Sequence, residues 1–188
     1  MSKPRKPQPA KLVIGLFLKD KSLISPLADD FNKKFGQADI ISSWFPFAYT
    51  DYYKKEMGGP LFRRLFSFKT LIRQNSLARI KTITNTIELS YSGNDKRMVN
   101  IDPGYLLDSR FVLATGKNYN HRIYIGSCIY ADLTLIYSKG KFRTLPWTYP
   151  DYAADNMLTF LNQVRKKYIE DCKQYNANKN DNMEIEND

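Results

Sequence analysis

The stretch from His121 to Tyr152, HRIYIGSCIYADLTLIYSKGKFRTLPWTYPDY, restricts the fold more than any other part of the chain. Ile123 and Ile125 alternate with Arg122 and Tyr124, and Leu133 and Leu135 alternate with Asp132 and Thr134. A two-residue period belongs to a half-buried strand, in which successive side chains point to opposite faces. The stretch therefore predicts two or three adjacent strands with one greasy face, while Arg122, Tyr124, Asp132 and Thr134 share the polar one. Gly140, within SKGK, suits the tight turn of a hairpin.

Earlier segments supply the other layers. Leu12 to Leu18, LVIGLFL, has the unbroken apolar character of a strand buried on both faces and predicts the central strand. Ser25 then reads as a helix cap with Pro26 in the first position and Asp29 and Asp30 near the positive end. Leu23, Leu27, Phe31 and Phe35 recur every fourth residue, and Gly36 stops the helix. An extended pattern resumes over Ala38 to Trp44. Ser76 caps a second helix carrying Leu77, Ile80, Ile83 and Ile87. Val99 to Ile101 reads as a strand that ends in a turn at Asp102, Pro103 and Gly104. Asp151 is placed as the cap of a last helix with Met157, Phe160, Leu161, Val164 and Tyr168 on its apolar side.

The order β, α, β, β, α, β, followed by a meander and a helix, predicts an α+β fold. Its helices pack on one face of a mainly antiparallel or mixed sheet with a ferredoxin-like core. A doubly wound α/β sheet is the alternative, because residues 12–36 would also serve as its opening βα unit. With 188 residues the chain suits a single globular domain, placed at 12–175. Residues 1–11 hold three prolines and four basic side chains and read as a flexible arm. Residues 176–188, with one Lys against four acids, read as a disordered acidic tail.

Charge narrows the partners. The net charge is +10, although the tail alone is acidic, and a field of that sign favours polyanions, phosphorylated ligands or anionic lipid surfaces. Plain basicity without a partner is the bland reading. Cys128 and Cys172 form no pair at metal-ligand spacing, so neither a disulfide framework nor a zinc site is indicated, and the expected compartment is the cytoplasm. The apolar run at Leu12 is too short to span a bilayer, and no export signal is visible.

The blocks FPFAYTDYYKKEMG, NIDPGYL, HRIYIG and LPWTYPDY together resemble the bacterial family catalogued as domain of unknown function 4416, over about residues 3–168. That resemblance carries no activity, so it assigns no catalytic role to any residue.

Three constellations remain as carriers of chemistry. Asp51, Glu56 and Asp102, with Asp132, are hard oxygen ligands of the kind magnesium or manganese takes, and with His121 as a general base they form the catalytic and metal candidates. The bland reading has Asp102 opening a turn, Asp51 capping a helix and Asp132 pairing with Arg122, while His121, sharing parity with Ile123, bonds to backbone. The ligand-binding candidates are Arg122, a bidentate clamp, with Tyr124, Asp132, Tyr52, Tyr53, Arg63, Arg64, Trp147 and Tyr149. Basic residues interleaved with aromatics, as in Phe62 to Lys81 and Lys139 to Tyr152, have the composition of a single-stranded nucleic-acid surface, though Phe66 and Phe68 suit a core equally well. No Walker-type loop, GxGxxG or haem signature occurs, and Gly15 and Gly116 stand alone.

The leading expectation is a cytoplasmic protein that binds a phosphate-bearing ligand, RNA or a nucleotide, on this polar face. A divalent-metal-dependent phosphoryl or nucleotidyl enzyme is one alternative. The other is a non-catalytic interaction module docking through FPF and LPWTYPDY.

Overall fold

The structure, a computed structural model, describes residues 3–47, 57, 60–93 and 96–185. Strand β1 (Ala10–Leu18) is buried along its whole length. Leu12, Ile14, Leu16 and Leu18 face a layer made by Leu27 and Phe31 of α1 (Ile24–Phe35) and by Ile80 and Ile87 of α2 (Leu77–Ser90). Val13 faces the other way, into a second core with Met157, Phe160, Leu161 and Val164 of α3 (Asp155–Ile185). A strand without polar alternation needs cover on both sides, and α3 covers the face that α1 and α2 leave open. Phe31 meets Phe66 edge-on at 5.7 Å, and Phe35 meets Phe68 at 5.8 Å, which fixes α1 on the sheet.

The remaining strands are β2 (Ala38–Ile41), β3 (Phe45–Phe47), β4 (Leu61–Ile72), β5 (Ser92–Gly93), β6 (Lys96–Arg97), β7 (Val99–Leu106), β8 (Arg110–Thr115), β9 (Arg122–Gly126), β10 (Ile129–Ser138) and β11 (Lys141–Thr144). Nine of the eleven strands among the described residues form one sheet in the order β11-β10-β8-β7-β1-β4-β2, with β3 beside β4 and β9 beside β10. Its pairings are antiparallel. The fold is therefore α+β, with the central order β7-β1-β4-β2 and helices α1 and α2 giving the ferredoxin-like arrangement, and with the meander added at β7. The doubly wound alternative, which needs parallel neighbours, does not apply. Among the described residues no helix is long and apolar enough to cross a membrane.

Several local expectations change. The first strand begins at Ala10, so Lys11 is no part of a flexible arm. It is fully buried, with its ammonium between the carboxylates of Asp39 and Asp171. A buried cation persists only where opposite charge meets it, and here that charge joins β1, β2 and α3. Tyr168 of α3 adds a hydrogen bond to the Pro9 carbonyl at 2.8 Å, and α3 runs past Asn176 to Ile185.

Strand β7 does not turn at Asp102, Pro103 and Gly104 but continues through them. Strand β8 pairs with β7 only from Gly104 to Leu106, so at Pro103 one edge is open and the missing N–H costs no ladder bond there. A Cβ on Gly104 would lie 2.5 Å from the Val112 carbonyl oxygen, so this close approach of strands requires glycine. Helix α1 starts at Ile24, after a short turn in which Asp20 accepts from the Ser22 N–H at 2.8 Å. Ser25 and Pro26 therefore fall inside the first helical turn, where the missing N–H of proline has no partner to lose. Gly36, with φ of 83°, ends α1 as expected. Lys139 and Gly140, both with positive φ, form the two-residue turn of the β10–β11 hairpin.

Asp171 gives a test of how α3 is held. Burial raises its pKa, but hydrogen bonds and charge from Lys11 and Lys167 outweigh that and bring the carboxyl below its ordinary 3.8. A depressed folded-state value contributes stability that is present above the unfolded value and lost as pH falls through the folded one. Asp171→Asn should cost about 1–3 kcal/mol in urea unfolding at neutral pH. The gap to the parent protein should close on acidification. A gap that stays constant with pH would show that this carboxylate does not secure the helix.

Candidate functional site

Strands β9 and β11 pair with the same edge of β10, β9 over Ile129 to Asp132 and β11 over Leu135 to Ser138. Leu133 and Thr134 fall in the gap between them. Against β8, on the opposite edge, the register skips Thr134, since Leu133 and Leu135 pair with the successive residues Val112 and Phe111. The extra residue re-aims the backbone, as bulges do. The segment Leu145 to Tyr152 crosses this gap as a strap: Trp147 Nε1 donates to the Leu133 carbonyl at 2.8 Å, and the Thr148 hydroxyl donates to the Thr134 carbonyl.

Beneath the strap, Arg122 and Asp132 are cross-strand partners, as their parity predicts, with Nε to Oδ2 at 2.9 Å. Arg122 also donates to the Lys117 carbonyl at 3.0 Å and to the Tyr149 hydroxyl, and its guanidinium lies 4.4 Å from the Tyr119 ring centre. His121 Nε2 reaches the same Asp132 oxygen at 3.3 Å, and its ring stacks on Trp147 at 5.0 Å and 15°. The polar face is thus turned inward. Arg122 is 6% exposed and Asp132 1%, whereas Ile123, expected on the greasy side, is 68% exposed. A charge pair with its donors met tolerates burial, and the β9–β10 register slips near Ile125, so simple alternation misassigns the two faces. Because every Arg122 nitrogen has a protein acceptor, this side chain holds the strap instead of standing open as an anion clamp. His121 bonds to Asp132 and faces Asn120 at 3.3 Å, so both ring nitrogens have side-chain neighbours. Tyr124 is exposed and rests on Tyr130 at 5.4 Å.

The strap continues to a second guanidinium. Arg63 of β4 is 2% exposed, ion-paired with Asp151, and held between the rings of Phe17 at 4.7 Å and Tyr152 at 4.2 Å. Among the described residues its Nε and Nη2 meet no acceptor in good geometry, and the polar neighbour of the buried Tyr152 hydroxyl is the Arg63 side chain. Both groups stand over Gly15, where a Cβ would lie 3.2 Å from the Tyr152 oxygen and 3.5 Å from Arg63 Nη2. Asp102 is the register partner of Gly15 on β7. Its carboxylate accepts from Asn100 Nδ2 at 2.7 Å and faces Lys81 Nζ at 3.7 Å. Burial pushes the Tyr152 phenol well above its ordinary pKa. The Arg63 charge opposes the shift and the Asp102 charge adds to it. Burial raises Tyr149 too, against the pull of Arg122.

The structure therefore brings together Arg63, Asp102, His121, Arg122, Asp132, Trp147 and Tyr149 along one strap and sheet face. Arg64 goes to the opposite face, where it donates to the Ser42 carbonyl at 3.1 Å and lies 4.9 Å from the Trp44 ring. Asp51, Tyr52, Tyr53 and Glu56 lie outside the described residues. Among the described residues no three His, Cys, Asp or Glu side chains group as a metal site requires. Asp102 sits within a strand and not at a turn. Asp151, placed as a helix cap, ion-pairs with Arg63, and the helix begins at Asp155. Gly15, Asn100, Asp151 and Tyr152 are residues that sequence reasoning did not assign to a site, Gly15 being set aside as a lone glycine and Asp151 placed as a cap. A glycine inside an unbroken apolar strand was the available signal, since such a residue marks a close approach by another group.

Residues 8–168 match the family described as Domain of unknown function (DUF4416). Comparison with curated proteins and with solved structures finds no match.

Removing one partner of a buried pair strands the other charge. Asp132→Ala should therefore cost about 3–5 kcal/mol, and Tyr149→Phe about 1.5–3 kcal/mol, the range for a hydrogen bond to a charged group. Denaturant unfolding of both variants measures this. Equal, sub-kilocalorie losses would show that the strap is not secured through Arg122.

Proposed function

Starting from a chain that belongs to the DUF4416 family, whose description carries no activity, we propose that it binds a phosphate-bearing ligand, a nucleotide or RNA, over Gly15 beneath the strap. One observation carries the reading: among the described residues a buried guanidinium with unmet donors stands beside the Tyr152 phenol and a missing Cβ. Each such donor costs about 1–3 kcal/mol while it lacks an acceptor. Phosphate oxygens are acceptors, they suit the fork of an arginine, and they complete this group where a neutral ligand would not. The overall charge of +10 draws anions toward the protein.

The enzymatic alternative draws on carboxylates that converge. Of its three, Asp102 is the described one, and Asn100 and Lys81 already engage it. The docking alternative needs free aromatic edges, whereas the Trp147 N–H and the Tyr149 hydroxyl are bonded inward.

Thermal unfolding in phosphate against chloride at equal ionic strength tests the proposal. Ligand at about one hundred times Kd should add about 2.7 kcal/mol to the parent protein. Gly15→Ala, whose methyl group would occupy the space below Tyr152, should remove most of that gain. A Gly15→Ala variant that folds and keeps the full phosphate response would sink the reading.

A further inference from the structure

Independently of the phosphate reading, we infer that strand β9 is the contact through which two copies of this chain pair, edge to edge and antiparallel, about a two-fold axis at Ile123. Among the described residues β9 has β10 as its one strand partner, so the outer row of its backbone donors and acceptors is unpaired. Such a row is a template for another strand, and proteins commonly blunt it with charge or proline. Two other edge strands follow that rule: β11 carries Lys141 and Arg143, and β3 carries Pro46. Strand β9 does not. Ile123 is 68% exposed, Tyr124 59%, and Tyr119, just before the strand, 54%.

Charge and symmetry select the occupant. The chain holds 29 basic and 19 acidic residues and a net charge of +10, so two copies repel each other in most orientations. From Asn118 to Ala131, however, Arg122 is the sole Lys, Arg, Asp or Glu, and its guanidinium turns inward onto Asp132, as the His121 ring does. Two copies therefore meet along β9 without like charges in contact, and a charged partner finds no countercharge there. An axis at Ile123 sets that side chain against its own copy on one face of the widened sheet. On the other face each Tyr124 comes beside Arg122 of the second copy, because residues two apart share a face. The Tyr119 ring already lies over that guanidinium at 4.4 Å, so ring meets ring. The extra residue of β9 falls near Ile125 and leaves Arg122 to Tyr124 in regular register. Such a contact is self-complementary, as a two-fold pair requires. At about 150–250 Å² for a whole large side chain, the three exposed ones offer on the order of 300 Å² per copy. That is well under the standard of about 800 Å² per partner, so the pair is a weak, transient one.

Sedimentation equilibrium of the full-length protein from about 1 μM to about 1 mM, the span of weak affinities, tests the inference. The mass should rise with concentration from that of one copy toward that of two. Ile123→Lys and Ile123→Glu each set like charges against one another on the axis and should weaken the pairing at least about tenfold. An equal mixture of the two variants should regain it, since Lys then faces Glu. Ile41→Lys, an exposed site on β2 at the opposite end of the sheet, should leave the association unchanged. A mass that stays at one copy over the whole range would overturn the inference, as would an Ile123→Lys variant that pairs as tightly as the parent. Association that runs on past two copies, or a mixture of the Lys and Glu variants that stays monomeric, would overturn the axis at Ile123.

Discussion

Taking a guanidinium out of water is costly unless its charge and its donors are met, and two of them are buried under one eight-residue segment. Arg122 is met fully, by Asp132, by the Lys117 carbonyl and by Tyr149. Arg63 is met in part, by Asp151 and by the faces of Phe17 and Tyr152. The first secures the strap at one end, and the second leaves unanswered donors at the other. That imbalance is why the residues near Gly15, and not those near Arg122, carry the functional reading.

The position of the strap follows from β1. Because β1 is apolar on both sides, the sheet must be covered twice: α1 and α2 take one face, and α3 takes part of the other. The docking of α3 is directed by charge as well as by greasy contact, since Lys11 draws Asp171 down onto the same face. Helix α3 begins only at Asp155, so the chain leaving β11 must cross the exposed part of the sheet before the helix starts. That crossing is the strap. It lies over Gly15, where the strand has no side chain to keep it away.

Much of this frame is legible in the residues. The apolar run Leu12 to Leu18, the four-residue recurrence that ends at Gly36 and the Lys139–Gly140 turn each impose one local conformation, and antiparallel order follows from how they connect. The pairing of Arg122 with Asp132 follows from strand parity. What parity cannot tell is which face is the inner one, because alternation records contrast between faces while a matched ion pair reverses the usual preference. Bulges at Thr134 and Ile125 then break the count on both late strands. Pro103 and Gly104 look like a turn, yet lie in a strand because an open edge and a crowded neighbour suit those same residues. Asp151 resembles a helix cap as much as an ion partner until Arg63, distant in sequence, is brought beside it. Each of these turns on a contact between distant segments, which local pattern does not encode.

The account stands on the unmet donors of Arg63. The direct measurement is the proton resonance of its Nε–H, assigned through an Arg63→Lys variant and followed by nuclear magnetic resonance as phosphate is added. Movement to lower field that saturates with the ligand, together with slower exchange with water, is the predicted result. A resonance that stays fixed while phosphate binds the protein elsewhere would contradict it.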